Sequence, residues 1–552
     1  MLTPIAKGPL ASPDNVGPHV MPSEMRPTEP LTTSQFEPET PEYVEQIDAQ
    51  PHKPLIKQGL LHYCGHIATI LSGILLVPLM LHRLGVEAYG LWIVALAVPN
   101  LTSGVDNTLY LSVARETGVH QTSGRISDQA TTSFLSACCG AYVVFGALVG
   151  ILMVLCESGI VRKLHLTAPL LAAAPATFLA VAVGFVTGRA VRFGNAVLSG
   201  LQRFGRINAL AVAALVVRFS GFAILLKLHP TLKAIAGWYA LVSILECATM
   251  IVTLLRLGAL AANRSLFRWS LLLRTGDFAA ATLVSSILQN LYWSSPPILL
   301  GFFRGVGSTI TLYTGQRPGF MISDFTWRGA EVVFSAAAGE DSDSAASGNR
   351  KLIVFGTKCF LAVAMPLCIG LLILAPVVIQ IWLRTPRPEM ATVMRWTSLG
   401  IIADALWVAP LHALWGSGRV RQVLWLTAQV AALILILNVA LVPRFGATGS
   451  AVAFVIATWW GAIATLIVLA REGQLSVIGF FRESFSEVAI PSLALAIFVL
   501  SVWKALQAHQ WQLVVTAVLG GGIVYAGLYL ALLRSQNSVA NPIQFWLKRI
   551  RG

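Results

Sequence analysis

From Tyr63 onward the chain is a succession of fourteen apolar stretches of about twenty residues each. They are centred near Leu71, Ala97, Val143, Leu179, Val216, Leu245, Ile287, Phe320, Val363, Trp407, Leu433, Val455, Leu495 and Val524. A helix of that length crosses the hydrocarbon core of a bilayer, and within lipid a single segment satisfies its backbone polar groups only as a helix. The expected fold class is therefore an all-α polytopic membrane protein with about fourteen transmembrane helices. Composition agrees, because charged residues make up only 12% and hydrophobic ones 56% of the 552 residues. A soluble domain carries about 25% charge. The mean hydropathy is +0.72. A soluble enzyme, a secreted disulfide scaffold and a disordered regulator are excluded. The short connections leave no room for a nucleotide-binding domain, and no G-x-x-x-x-G-K-[ST] motif occurs, so the chain is not itself an ATP-driven pump.

Residues 1–54 differ from the rest. They hold 11 of the 27 prolines and three basic against eight acidic side chains. Such a segment cannot bury enough surface to offset its ordering entropy, and it is expected to be a disordered acidic tail. It contains no signal-peptide pattern, so the first transmembrane helix is expected to target the chain. The net charge of +14 thus belongs to the membrane part. With a cytoplasmic N-terminus, 22 Lys and Arg residues fall near inside ends of the apolar stretches and 11 near outside ends. The positive-inside rule then places both termini in the cytoplasm. No basic run with interleaved aromatics supports a nucleic-acid partner. The seven cysteines form no C-x-x-C pair and are read as small packing residues; no cofactor or metal is expected.

Two connections recur six stretches apart. Leu81-His82-Arg83-Leu84-Gly85-Val86 after the first stretch parallels Phe303-Arg304-Gly305-Val306 after the seventh. Gly200-Leu201-Gln202-Arg203 after the fourth parallels Gly418-Arg419 after the tenth. This pattern predicts a six-helix lobe over 55–275, a second over 276–475, and two extra helices with a basic tail over 476–552.

Leu84-Gly85-Val86-Glu87-Ala88-Tyr89-Gly90 resembles the first loop of polysaccharide flippases. Asn438 through Pro443-Arg444-Phe445-Gly446 to Gly449 resembles their signature between the eleventh and twelfth helices. On these segments the chain resembles the multidrug/oligosaccharidyl-lipid/polysaccharide exporter superfamily over roughly residues 58–475. It is most similar to the branch that flips lipid-linked oligosaccharides for O-antigen or exopolysaccharide assembly. The turn that is often Asp-x-Gly-Leu in that family reads Asp106-Asn107-Thr108-Leu109 here, without the glycine. Gly85, Gly90, Gly446 and Gly449 are read as turn and close-packing residues, and Pro443 as a helix stop.

Ionisable side chains within a membrane span are costly and are expected to face a cavity or a partner. The eighth stretch has Arg317, Asp324, Arg328 and Glu331 at i, i+7, i+11 and i+14, within about 60° of one another around a helix. Tyr313 and Ser335 extend this stripe. Pairs are expected between Asp324 and Arg328 and between Arg328 and Glu331. The stripe predicts a helix lining a central cavity, where the guanidinium groups would meet phosphate oxygens. In the second stretch Thr102, Asp106 and Tyr110 share a face; in the tenth, Asp404, Trp407, Leu411 and Trp415 do. These suggest further cavity residues, with Trp407 suited to stacking on a sugar. Arg218 and Glu246 are expected to pair, Lys358 to snorkel, and the lone His66 and His412 to hold no metal.

The resemblance implies a non-enzymatic transporter of the bacterial cytoplasmic membrane that moves a polyprenyl-pyrophosphate-linked glycan by alternating access. Its other expected partners are membrane lipids and glycan polymerase or assembly proteins. A lipid II flippase and a cation-coupled multidrug exporter of the same fold remain as alternatives. A non-transporting assembly scaffold is a third, which loss of Arg317 and Arg328 should leave working.

Overall fold

The computed structural model describes residues 72–102, 129–201, 203–257, 276–338, 345–471, 476–506 and 510–535, with short pieces between 109 and 126. At 129–133, 276–283 and several positions of 332–349 only the course of the backbone is described. The N-terminal tail, His66 and Asp106 lie outside the described residues.

The described residues are helical, apart from turns and a hairpin of two-residue strands, Gln121–Thr122 against Arg125–Ile126. The first lobe contains α1 (Ser72–Leu84), α2 (Val86–Asn100), α3 (Gln129–Lys163), α4 (Ala168–Gly200), α5 (Phe204–Leu228) and α6 (Leu232–Arg256). The second opens with α7 (Gly276–Arg304), α8 (Val306–Ala338), α9 (Ala345–Leu383) and α10 (Pro388–Gly416). The element Val420–Arg471 bends at Gly446, whose φ of 58° and ψ of −135° are not helical, and so forms α11 (420–445) and α12 (447–471). A short α13 (Val477–Phe485) leads to α14 (Ala489–Leu506) and α15 (Gln510–Ser535). Thirteen of the fourteen expected centres fall inside α2–α12, α14 and α15, and Leu71 directly precedes α1 as described.

Pro443 does not stop α11, contrary to the sequence expectation. The helix runs through it and breaks at Gly446, since only glycine takes up such a φ without strain. The carbonyls released at this break are not left bare. Arg304, at the end of α7, donates from Nη2 to Arg444 O at 2.8 Å and from Nε to Val442 O at 3.4 Å.

The internal repeat is visible in backbone detail. The α4–α5 turn closes with Leu201 N to Val197 O and Arg203 N to Leu198 O. The α10–α11 turn closes with Ser417 N to Ala413 O and Arg419 N to Leu414 O, the same pattern six helices later. Gly85 and Gly305 take up φ values of 87° and 81° between α1 and α2 and between α7 and α8. Even the two non-glycine residues with positive φ, His165 and Arg384, occupy matching turns, α3–α4 and α9–α10.

Among the described residues the lobes meet at one end. A buried cluster there joins Val77, Met80, Leu91, Val94, Phe178 and Ile235 of the first lobe to Val306, Ile310, Ile379, Leu383 and Met394 of the second. Across this seam His82 Nε2 donates to Leu383 O and Trp382 Nε1 to Ile74 O, each at 2.9 Å. Gly90 of α2 lies so close to α8 that a β-carbon would overlap the carbonyl oxygen of Val306. Towards the opposite end each lobe has its own core. One is built on Leu135, Tyr142, Phe193 and Met250, the other on Ile353, Leu406, Trp407, Val430 and Phe454. Between this seam and the two separate cores, the described residues of the lobes enclose a space.

The last helices belong to the second lobe. Leu374 of α9 shares a buried cluster with Leu495 and Val499 of α14 and Leu513 and Ala517 of α15. Lys358 does not snorkel. Its Nζ pairs with Glu487 at 2.8 Å, and the Glu487 side chain is only 5% exposed. Arg350 pairs with Glu483 at 2.6 Å on the surface, and Tyr525 donates to Ala362 O at 3.0 Å.

Gly90→Val should force α2 away from α8 and lower stability in detergent by about 1–3 kcal/mol, as overpacking does elsewhere. Gly188→Ala is the matched control. Nothing lies near that α4 glycine, so thermal unfolding should show no loss and a gain of up to about 1 kcal/mol.

Candidate functional site

Among the described residues nine helices, counting α11 and α12 as one, are long and apolar enough to cross a membrane by length and composition. The long helices missing from that set are α7 and α8. Their polarity is directed inward. α7 carries Gln289, Asn290, Ser294 and Ser295 ahead of Pro296-Pro297, and α8 carries the charged stripe. A spanning helix of this kind is stable only with its polar side turned from lipid.

That side lines a cavity of about 770 Å³ between the lobes. α2 contributes Tyr89, Trp92 and Asn100; α5 and α6 contribute Arg218, Phe222 and Tyr239. The second lobe supplies Asn290, Trp293 and Ser294 of α7, and Tyr313, Gln316, Arg317, Phe320, Ser323, Asp324 and Trp327 of α8. Eight aromatic rings and a few polar groups make a wall suited to an amphiphilic ligand. The rings brace one another: Trp92 meets Tyr239 edge-on at 5.2 Å, Tyr89 meets Tyr313 at 6.3 Å, and Trp293 meets Phe320 at 5.0 Å.

The two cavity arginines are in different electrostatic states. Arg218 Nη2 bonds Glu246 Oε2 at 2.9 Å, as the sequence suggested, and its guanidinium lies 5.4 Å from the Tyr239 ring centre. Its charge is balanced on the spot. Arg317 forms no ion pair among the described residues, and its buried Nε has no hydrogen-bond partner. Its guanidinium extends to α1 and fits there because residue 73 is glycine; a β-carbon at that position would lie 3.1 Å from Nη2. Arg317 is thus a half-buried cation near the closed seam, with no acidic partner among the described residues. Asp324 stands two turns further along α8, about 10 Å nearer the open end, where its side chain is exposed.

The rest of the stripe is arranged differently from expectation. Among the described residues no ion pair links Asp324 to Arg328 or Arg328 to Glu331. Both Arg328 and Glu331 are exposed and lie outside the cavity wall, continuing its face toward the open end of α8. Tyr110 is also outside the cavity. It packs with the first lobe's inner core, and the Arg192 guanidinium lies 5.1 Å from its ring centre.

Asp404 and Trp407 are corrected more sharply. Neither reaches the cavity, because α10 is the core helix of the second lobe and is buried along most of its length. Asp404 is fully buried and fastens α10 to α8. It accepts from Ser323 Oγ at 2.5 Å and from Trp327 Nε1 at 3.1 Å. It therefore sets the position of two cavity-wall side chains without touching a ligand itself. Trp407 is 2% exposed and packs edge-on against Trp327 at 6.3 Å. His412 lies on the other side of Trp327 and donates from Nδ1 to Val408 O at 2.8 Å. Among the described residues no group of three His, Cys, Asp or Glu side chains is placed to hold a metal ion.

Sequence reasoning missed the contribution of α7 and the aromatic wall of α2 and α6. The low hydropathy of α7 was the available signal; the aromatic residues gave none, since rings are equally common in apolar cores.

No known family's sequence profile and no curated protein matches the chain. Solved structures do match in fold. A lipid II flippase, MurJ, in an inward closed conformation superposes with a TM-score of 0.70 at 13% identity, over 88% of this chain and all of the other. An inward-facing multidrug resistance MATE transporter of the MOP superfamily gives 0.58 at 13% identity, over 74% of this chain and 94% of that one. A MOP superfamily transporter from Pyrococcus furiosus, described by the reverse polarity of its binding pocket, gives 0.59 at 14% identity, over 78% and 97%. At such identities the likeness establishes a shared fold: two six-helix lobes, here with the two further helices.

Asp404→Leu should strand Ser323 Oγ and Trp327 Nε1 in a dry core and cost about 1–3 kcal/mol in thermal unfolding. Asp324→Asn, at an exposed and unpaired position, should stay within about 0.5 kcal/mol of the parent. Equal losses would show that Asp404 is not the fastening group.

Proposed function

We propose that this protein is a flippase that carries a polyprenyl-pyrophosphate-linked oligosaccharide across the cytoplasmic membrane by alternating access. The observation that carries this reading is Arg317, a half-buried guanidinium that lines an aromatic-walled cavity near its closed end and forms no ion pair among the described residues. A pyrophosphate is the natural counter-ion for such a group, because the planar fork matches its oxygens and charge assists both hydrogen bonds. Tyr, Trp and Asn side chains suit the faces and hydroxyls of sugars. The polyprenyl chain would stay in lipid.

The positive-inside count puts the seam at the outer side of the membrane and both termini in the cytoplasm. In that orientation the structure is the state that receives substrate from inside. Separation of the seam cluster, with closure of the two inner cores onto each other, would release substrate outside. Asp324, nearer the mouth, would oppose over-tight retention of the anion. No part of this cycle calls on enzymatic bond breaking.

A lipid II flippase is the second reading. It is favoured by the superposition over the whole length of such a flippase. The shared chemistry, a polyprenyl pyrophosphate bearing sugars, is served equally by Arg317. A cation-coupled multidrug exporter fits less well, since an unneutralised arginine repels a cationic drug.

Lipid extracts of depleted cells, analysed by mass spectrometry, test this directly. A completed polyprenyl-pyrophosphate repeat unit should accumulate and be cleared by the wild-type protein, while Arg317→Ala should restore less than about a tenth of clearance, as expected when a charge-assisted contact is lost. Accumulation of lipid II would select the second reading. If neither lipid changes, the flippase reading fails.

A further inference from the structure

A second cavity, of about 690 Å³, lies between α1, α8, α9 and α15, away from the central one. Its walls include Leu75, 58% exposed, Val378, and Trp511, 67% exposed. The polar groups gather at one end. Arg83 closes α1 there, Arg384 follows α9, and His82 is tied to the Leu383 carbonyl beside them. Both arginines are exposed, and neither forms an ion pair among the described residues. Arg384 also has a φ of 56°, a backbone state that costs a non-glycine residue energy and holds the residue at this turn. A cationic head over an apolar slot, flanked by a tryptophan, has the shape of an interfacial lipid site.

We propose that this groove binds a phospholipid with a net-negative headgroup, its phosphate between Arg83 and Arg384 and an acyl chain along the slot toward Leu75 and Trp511. Charge complementarity selects this occupant over a zwitterionic lipid, because two guanidinium groups with no protein counter-ion face one headgroup. The groove also crosses the lobe seam. α1 belongs to the first lobe, whereas α9 and α15 move together in the second, bound by their shared cluster and by Tyr525. The wall is complete only while the seam is closed, so the bound lipid stabilises the closed-seam state. The inference rests on the membrane fold and not on the identity of the transported substrate.

The test uses the full chain in detergent with phosphatidylglycerol and phosphatidylcholine of identical acyl chains, read by native mass spectrometry and by thermal unfolding. Phosphatidylglycerol should bind about tenfold more tightly, from two basic groups at the surface, and raise the Tm. Arg83→Gln/Arg384→Gln should bring the two lipids within about twofold and abolish the Tm increase. Lys504→Gln, at the same membrane face but outside the groove, should change neither. Arg384→Gly separates lipid loss from misfolding: relief of the positive φ should raise the lipid-free Tm while phosphatidylglycerol binding falls. Equal binding of the two lipids by the parent overturns the proposal. So does unchanged preference in the double variant, or displacement of phosphatidylglycerol by inorganic phosphate alone, which would mark a free-anion site.

Discussion

A helix that carries four charged residues cannot face hydrocarbon, and α8 carries Arg317, Asp324, Arg328 and Glu331. The arrangement of the molecule follows from where that helix can be put. Its stripe needs an internal aqueous space, and one lobe alone does not supply it. Packed against α10 on its outer side and against α2 at its start, α8 presents the stripe to the gap between the lobes. α7, which holds two prolines and is rich in amides and hydroxyls, takes the neighbouring place for the same reason. The lipid-facing positions are left to α3, α5, α6, α14 and α15, whose apolar side chains are widely exposed.

The repeat gives the proposed change of access a structural basis. Two similar lobes, joined by a compact apolar seam and otherwise packed on separate cores, can rock without remaking their interiors. The seam relies on contacts that tolerate little intrusion, such as the approach of Gly90 to the Val306 carbonyl. It is also latched by two side-chain bonds to backbone carbonyls, from His82 and Trp382. Among the described residues, closed packing lies at one end of the cavity and a polar, aromatic wall behind it.

Much of this was legible from the residues. Apolar runs near twenty residues have one physical outcome in lipid, so helix number and order were readable. The charged stripe was readable because helical periodicity is fixed, and the Gly85 and Gly305 turns because positive φ has a strong residue preference. Errors arose where identical residue types have two outcomes. Asp404 and Trp407 share a helix face, as periodicity said, but that face turned inward to the lobe core and not to the cavity. Pro443 and Gly446 both signal a break; the helix accommodated the proline and yielded at the glycine. Lys358 had a partner 129 residues away in Glu487, and no local rule reaches across that distance.

The sequence by itself determined a polytopic helical membrane protein, its fourteen spans, its duplicated halves and the helix that must be shielded from lipid. Each of these depends on local periodicity and on the energetics of one segment in a bilayer. The tertiary structure alone decided which charges are neutralised and which are left bare. Arg218 and Arg317 are the same residue type, each within a long helix of the cavity wall, yet one meets Glu246 on α6 and the other reaches the glycine gap of α1 and forms no ion pair among the described residues. Coulomb pairing and desolvation act through distances between helices, and those distances are fixed by how the lobes pack.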